Sequence, residues 1–368
     1  MPQEVDAASY LERAEEGLSA IFNKLNDVRR SERFRAGEAS ESDLTTIRSV
    51  LGTYVDTMSL LEQAADCSIY HPQMEHSIDL SSSPDVHLRR IKRLRAATMA
   101  LQARSVLQLS EGEPDKALET CVMMLRLTRI AEKEPLMSGY LAALACRGVA
   151  IHSTNHVLQS VRTSRNARDL LETELELHEN VAGYEWMLAT ERVVGLETFR
   201  VRSASGNRST QLSQNQEQTT YLTVFDQQLR IASSTYKIFL DTYAEHRRIL
   251  ERAPLASQLF PAIQAAREAM NRVQAETRCL RLLNILQREE NQTKQNELEL
   301  IHLGLPPDAI LDPFDGQQLH VKRLSGGWLI YSVGRNLKDD GGAIGPFLDV
   351  GVSPAHPLLS PLSKDKTD

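Results

Sequence analysis

Any chemistry this chain performs has few candidate residues to draw on. His152 and His156 stand four apart on a stretch with helical periodicity, so both face one side, a spacing that can hold zinc. Ser153, Thr154 and Asn155 lie between them, without the glutamate of the metalloprotease helix, and no third ligand can be named. Packing or capping histidines are the plainer reading. Glu172, Glu174, Glu176 and Glu179 suit the solvent-facing side of a helix. They become acid–base candidates only if another element brings carboxylates opposite them in a cleft. Arg89, Arg90, Lys92, Arg93 and Arg95 form a basic cluster after His87, with Arg89, Lys92 and Arg93 on one helix face. A solvated face is the default for such a cluster; an acidic partner or phosphates would be its ligands otherwise. His71 and His76 flank Pro72 in a loop and carry less weight. No phosphate loop, dinucleotide fingerprint, nucleophile elbow or kinase set occurs, so no catalytic or cofactor-binding residue is named.

Composition narrows the class. The chain has 368 residues, room for two or three domains at about 100–200 residues each. Aromatic residues are only 5% while hydrophobic residues are 41%, so the core must be built from Leu, Ala, Val, Ile and Met, as in helical bundles. A net charge of −7 argues against nucleic acid as the main partner, because phosphate backbones need a basic face. Cys67, Cys121, Cys146 and Cys279 are scattered without a CxxC pair, which speaks against a disulfide framework and a cysteine zinc site. Cys121 and Cys146 could still meet if their helices pack together.

The N-terminus, MPQEVDAASYLERAEEG, lacks a basic region followed by an apolar one, so no signal peptide is expected. The most apolar stretch, residues 136–151, contains Ser138, Gly139 and Arg147 and is shorter than the roughly 20 residues of a spanning helix. It reads as a buried helix, and no membrane span is expected. The chain as written is expected to be cytoplasmic, or envelope-associated if an anchor precedes it.

The elements follow from periodicity. Leu11, Ala14, Leu18, Ile21, Phe22 and Leu25 recur at three- and four-residue steps and predict a helix over residues 7–28. A second helix is expected from Ser42-Asp43, with Leu44, Ile47, Leu51, Val55, Met58 and Leu61 on one face. Residues 67–85 read as a loop whose Ser81-Ser82-Ser83-Pro84-Asp85 run starts the next helix. Residues 99–129 read as one helix–turn–helix of tetratricopeptide type, with Gly112 and Pro114 at the break and small residues at the crossing. No second copy recurs at a fixed period. Five regions result: a helical-hairpin body (1–200), a polar flexible loop (201–220), a helical segment (221–303), a small β-containing module (304–350) and a disordered tail (351–368). Within the helical segment, one helix is expected over 222–251, a break at Pro254 and a restart near Pro261. Residues 318–324 and 328–333 are expected as two strands joined by Ser325-Gly326-Gly327.

The module carries the one recognisable motif. Leu311-Asp312-Pro313-Phe314-Asp315-Gly316 is followed by a Gly-Gly turn, then Tyr331-Ser332-Val333-Gly334, then Asp339-Asp340-Gly341-Gly342. This order resembles the C-terminal region of type II secretion major pseudopilins, and also looks like the end of a group of uncharacterised bacterial helical proteins. The resemblance covers the last quarter of the chain. It implies a calcium loop in which Asp339, Asp340 and Asp349 are the candidate metal ligands, and hard oxygen ligands in a Gly-rich loop suit that ion. The family has an acid soon after its Ser-x-Gly, whereas Gly334-Arg335-Asn336-Leu337 stands here. Arg335 is expected to oppose a cation or to pair with the aspartates in its place. The long apolar N-terminal helix of pseudopilins has no counterpart in this sequence.

The expected fold is mainly α: an irregular α-hairpin stack, tetratricopeptide-like in part, with a pseudopilin-like β-hairpin module. The leading functional expectation is a non-catalytic scaffold with a protein partner, because stacked hairpins offer grooves for partner segments. The alternatives are an envelope- or secretion-associated protein and an enzyme with a site between helices.

Overall fold

The computed structural model describes residues 6–71, 84–203, 208–251, 253–289 and 300–354. The chain is mainly helical, with a small antiparallel sheet near the C-terminus. The first apolar repeat forms three helices rather than one: α1 (Ala7–Arg13), α2 (Glu15–Lys24) and α3 (Asn26–Arg30). Leu11, Ala14, Leu18, Ile21, Leu25 and Val28 still make one buried stripe, because the three- and four-residue spacing runs through the breaks. After α4 (Glu32–Arg35), α5 (Glu41–Thr53) starts at Ser40, two residues earlier than expected. Ser40 and Asp43 cap each other's backbone there in a reciprocal box. α6 (Val55–Ala65) follows.

α7 (Pro84–Ser110) and α8 (Pro114–Ala131) form the hairpin expected over residues 99–129. Gly112 turns the chain with a φ of +76°, a left-handed conformation that glycine adopts without a Cβ penalty. Ala97, Ala100, Ala103 and Ala117 are fully buried where the helices cross. Ser81, Ser82 and Ser83 lie outside the described residues. α9 (Met137–Ser160) packs on both arms of the hairpin and contains the apolar stretch read as a buried helix. No helix among the described residues is long and apolar enough to cross a membrane.

α10 (Arg165–Leu177), α11 (Ala182–Ser203), α12 (Arg208–Arg230), α13 (Tyr236–Leu250) and α14 (Pro254–Glu289) complete the helical body. The end of α11 and the start of α12 correct the flexible loop expected over 201–220, of which residues 204–207 lie outside the described residues. The C-terminal half of α12 is anchored by buried Tyr221, Val224, Phe225 and Gln228, and the Tyr221 hydroxyl donates to the Glu191 carbonyl (2.8 Å). Gln, Ser and Arg carry small helical penalties, so a helix nucleated at that packed end propagates back through them. The single helix expected over 222–251 is broken between α12 and α13, where Thr235 caps the new helix. α14 starts at Pro254 and continues through Pro261, without the expected restart there.

The module is a three-stranded sheet in the order β1 (His320–Leu324), β2 (Gly327–Ser332), β3 (Val350–Val352). The hairpin closes at Leu324↔Gly327 across Ser325-Gly326. β3 pairs antiparallel with β2 and was not foreseen; it also moves the start of the expected tail beyond Val352. Residues 355–368 lie outside the described residues. The sheet is not a separate body: Leu319, Ile330 and Val352 belong to the same apolar core as Leu280 and Leu283 of α14. A second cluster joins Tyr236, Phe239 and Ala275 to Phe314, Val333 and Val350 of the module.

Buried Asp312 organises the module. One of its carboxylate oxygens accepts from Phe314 N and Ser332 Oγ, the other from Val333 N, each at 2.8 Å. The neighbouring carbonyls reach outward: Pro313 O accepts from Tyr236 N (2.9 Å) and Asn271 Nδ2 (2.7 Å). An Asp312→Ala variant leaves three buried donors without an acceptor. Denaturant unfolding is expected to show a loss of about 3 kcal/mol, since hydrogen bonds to charged groups carry about 1.5–3 kcal/mol each. An unchanged midpoint would show that the module does not depend on this carboxylate.

Candidate functional site

Charged groups from several helices meet beneath an apolar cleft of about 870 Å³. The end of α8 brings Arg129, Glu132 and Lys133, α9 brings Arg147, the end of α10 brings His178, and α11 brings Gly183 and Trp186. Arg147 is 4% exposed and Glu132 8%. Their charges meet at 3.1 Å, while the other terminal nitrogen of Arg147 lies 2.5 Å from His178 Nδ1. His178 Nε2 faces Glu174 at 3.3 Å. Arg147 can only donate, so Nδ1 accepts and the ring proton sits on Nε2, pointing at Glu174. Glu174 also holds Arg129 at 2.7 Å and Arg126 at 3.5 Å.

This arrangement sets the charge states. Burial, reinforced by Arg147, pushes His178 down to about 4, so the imidazole is neutral near pH 7. Burial opposes ionisation of Glu174, yet hydrogen bonds from His178 and Arg129 outweigh it and hold that carboxyl below its usual range. At Glu132 burial wins over Arg147 and Arg129, and the carboxyl is raised. Gly183 matters for the approach of α11: a Cβ there would lie 2.8 Å from Glu132 Oε2.

The wall is apolar. Trp186 is 49% exposed and Leu177 45%, and Pro135 and Ile69 also line the cleft. Trp186 is nevertheless fixed, because its indole N–H donates to the Lys133 carbonyl at 3.0 Å. The site therefore combines a pre-set aromatic surface with a rigid, hydrogen-bonded charged floor.

The residues singled out by sequence lie mostly elsewhere. Among the described residues no group of three His, Cys, Asp or Glu is arranged to hold a metal ion. His152 is buried, and His156 packs against Gly37. The solvent-facing reading of the glutamates is corrected: Glu174 is buried in the network, and Glu172 and Glu179 both hold Arg281 (2.8 and 3.2 Å); only Glu176 is exposed. Long-range arginines decided this, and helical periodicity is blind to them. The basic cluster divides in the same way. Arg90 meets Glu134 (3.1 Å) and Arg93 meets Glu15 (3.0 Å), leaving Arg89, Lys92 and Arg95 exposed. His71 lines the cleft, and His76 lies outside the described residues. All four cysteines are free thiols.

In the C-terminal loop, Asp349 is fully buried and accepts from Asp340 N (3.2 Å) and Gly342 N (2.7 Å). Asp339 accepts from Gly341 N (2.8 Å) and the Tyr331 hydroxyl (3.1 Å), and Asp340 from Asn336 Nδ2 (2.7 Å). Arg335 does not pair with these aspartates, contrary to the expectation from sequence. It meets Glu268 of α14 at 2.6 Å and lies over the Phe347 ring.

Sequence reading missed Arg147, Glu132 and His178 as a group. One signal was present: Arg147 interrupts the most apolar stretch of the chain, and a charge buried there demands a counter-charge. No protein-family model matches the chain, and no curated protein or solved structure matches it.

The network predicts an acid sensitivity. The unfolded chain binds a proton at His178 near pH 6.5, the folded one only near pH 4. Stability from this group is thus complete above about pH 6.5 and lost as pH falls toward 4. Glu174 adds to the loss at its depressed folded value, whereas Glu132, being raised, works the other way. Replacing His178→Gln is expected to flatten the pH 6.5–4 limb of the stability curve by on the order of 3 kcal/mol. Parallel curves for the two proteins would contradict it.

Proposed function

We infer that the protein is a non-catalytic binding scaffold whose helical-hairpin body, tetratricopeptide-like in part, holds an apolar, acid-bearing segment of a partner protein in the Trp186 cleft. The carrying observation is the half-exposed, hydrogen-bonded Trp186 beside three cations, Arg129, Lys133 and Arg147, against Glu132 in the lining and Glu174 behind it, which leaves the exposed Lys133 as the surplus charge. A fixed aromatic ring loses little entropy on binding and is the usual anchor at an interface. The surplus positive charge selects an acidic segment over a basic one. The Arg147–His178–Glu174 chain keeps the floor rigid, and the neutral histidine adds no charge of its own.

The test is calorimetric titration with a synthetic Leu/Phe-rich peptide ending in two aspartates. Binding is expected, weakened at least tenfold by Trp186→Ala, and lost when lysines replace the aspartates. Equal affinity for the lysine peptide, or binding of decanoate with none of the peptide, would overturn the reading. Trp186 is solvent-exposed enough that its removal should leave the melting temperature within a degree or two.

A second reading follows the pseudopilin-like order of the module: an envelope- or secretion-associated protein with calcium held by Asp339, Asp340 and Asp349. The placement of Arg335 on Glu268 favours it, since that guanidinium is engaged away from the aspartates; Lys322, which donates to the Gly341 carbonyl at 2.9 Å, is the cation that calcium would have to displace. Calcium is then expected to raise the melting temperature, and Asp340→Ala to abolish the gain while keeping the fold. A melting temperature indifferent to millimolar calcium would remove this reading and leave the first untouched.

A further inference from the structure

A serine, a histidine and a glutamate stand in line where α7, α9 and the turn between α8 and α9 meet. Ser138, the second residue of α9, is exposed, and its Oγ lies 2.7 Å from His87 Nε2. His87, near the start of α7, is buried, and its Nδ1 faces Glu134 Oε2 at 3.7 Å. That gap is longer than a hydrogen bond. Both atoms are nevertheless buried, and neither hydrogen-bonds to any other described group. Such buried groups call for a partner, and hydrogen bonds of this kind commonly close only when a ligand is in place.

Glu134 is fixed from its other side. Its Oε1 accepts from the Tyr70 hydroxyl and meets Arg90 Nε at 3.1 Å. Burial opposes its ionisation, yet His87, Tyr70 and Arg90 together outweigh it and hold the carboxyl below its usual range. With a carboxylate on the Nδ1 side, the neutral imidazole carries its proton there, so Nε2 accepts and the Ser138 hydroxyl donates. Two features of α9 suit the same chemistry. Gly139 lets the helix come down on the pair, because a Cβ there would lie 2.7 Å from Glu134 Cβ and 3.0 Å from His87 Cε1. At the start of the helix the Met137 amide is taken by Glu191 Oε1 (2.6 Å), whereas the Ser138 amide has no acceptor among the described residues. A first-turn amide at the positive end of a helix dipole is suited to a developing negative charge.

We propose that Ser138 is a nucleophile that accepts an acyl group from an activated ester or thioester, with His87 as its general base and Glu134 positioning the ring. Ser138 Oγ forms a bond to the carbonyl carbon as its proton passes to His87 Nε2, and the charge that gathers on the carbonyl oxygen faces the Ser138 amide. The bond to the leaving alcohol or thiol then breaks, and the leaving group takes the proton from Nε2. An O-acyl serine and a neutral histidine remain. The product is a covalent mark, one acyl group per chain, added to a body read above as a binding scaffold; no turnover is required.

The probe is p-nitrophenyl acetate, added to the full chain at neutral pH, with nitrophenol release followed by absorbance and acetyl groups located by peptide mass mapping. One fast equivalent of acetyl at Ser138 is expected, while the peptide carrying Ser49, exposed on α5, stays unlabelled. Ser138→Ala should abolish the fast equivalent and, being a surface change, leave the melting temperature within a degree or two. His87→Gln should slow acetylation about a hundredfold, the usual share of a general base. Glu134→Asp should keep more of the rate than Glu134→Gln, because positioning through Nδ1 needs the charge, whereas a space-filling role favours the isosteric glutamine. Acetyl spread over lysines with none at Ser138, equal labelling of Ser138 and Ser49, an unchanged rate in His87→Gln, or a glutamine variant faster than the aspartate one would each overturn the proposal. Its failure leaves the binding reading of the Trp186 cleft as it stands.

Discussion

Each break in the chain around α14 leaves carbonyl groups without helical partners, and α14 supplies the missing donors from its own side chains. Arg267 reaches the carbonyls of Ala232 and Ser234 between α12 and α13. Asn271 and Arg278 reach Pro313 and Leu311 before the sheet, and Gln274 reaches Glu179 after α10. Asn284 and Gln287 reach Arg168 and Leu158. Arg267, Asn271 and Asn284 are at most 1% exposed. A buried donor or acceptor left unpaired costs about 1–3 kcal/mol, so these side chains and these breaks require each other. The helix is therefore a polar spine as much as an apolar one, and the neighbouring elements are placed by its hydrogen bonds as well as by its leucines.

The same logic explains why the module cannot be treated as an appendage. Its first turn presents the carbonyls that Asn271 and Arg278 need, and its sheet covers Leu280 and Leu283. Asp312 in turn fixes the turn against β2 through Ser332 and Val333. Local hairpin chemistry, a buried carboxylate within the turn and a distant helix thus share one hydrogen-bond chain. The partner face that α14 offers to this segment is a property of this chain's own packing.

Two clefts flank α10. Beside its C-terminal end, Arg147, His178 and Glu174 make a floor in which a neutral histidine separates two ion pairs. At its N-terminal end a second cleft is lined by Arg162, Arg165 and Arg168 together with Glu172 and Glu176. The C-terminal end of α10 shelters His178 as an uncharged ring between opposite charges. Glu172 and Glu179 sit between the two regions and tie α10 to the spine through Arg281 and Arg278.

Local physics alone determined the division into helices and a late β segment, the α7–α8 reversal at Gly112 and Pro114, and the β1–β2 turn beside Gly326 and Gly327. Each of these depends on residues within a few positions of one another: apolar spacing, a positive φ, a proline in a first helical turn. What the sequence could not decide was everything that needs a distant partner. Residues 208–220 look like a linker until Tyr221 and Phe225 are packed against α11 and the helix is propagated from that end. β3 is only three residues long and exists because β2 offers it an edge. Glu174 has the spacing of a surface residue and is buried because Arg126 and Arg129 of α8 arrive from elsewhere in the chain. The candidate site was illegible for the same reason: Glu132, Arg147 and His178 are separated along the chain, and only the packing of α8, α9 and α10 removes the water that would otherwise keep their charges independent.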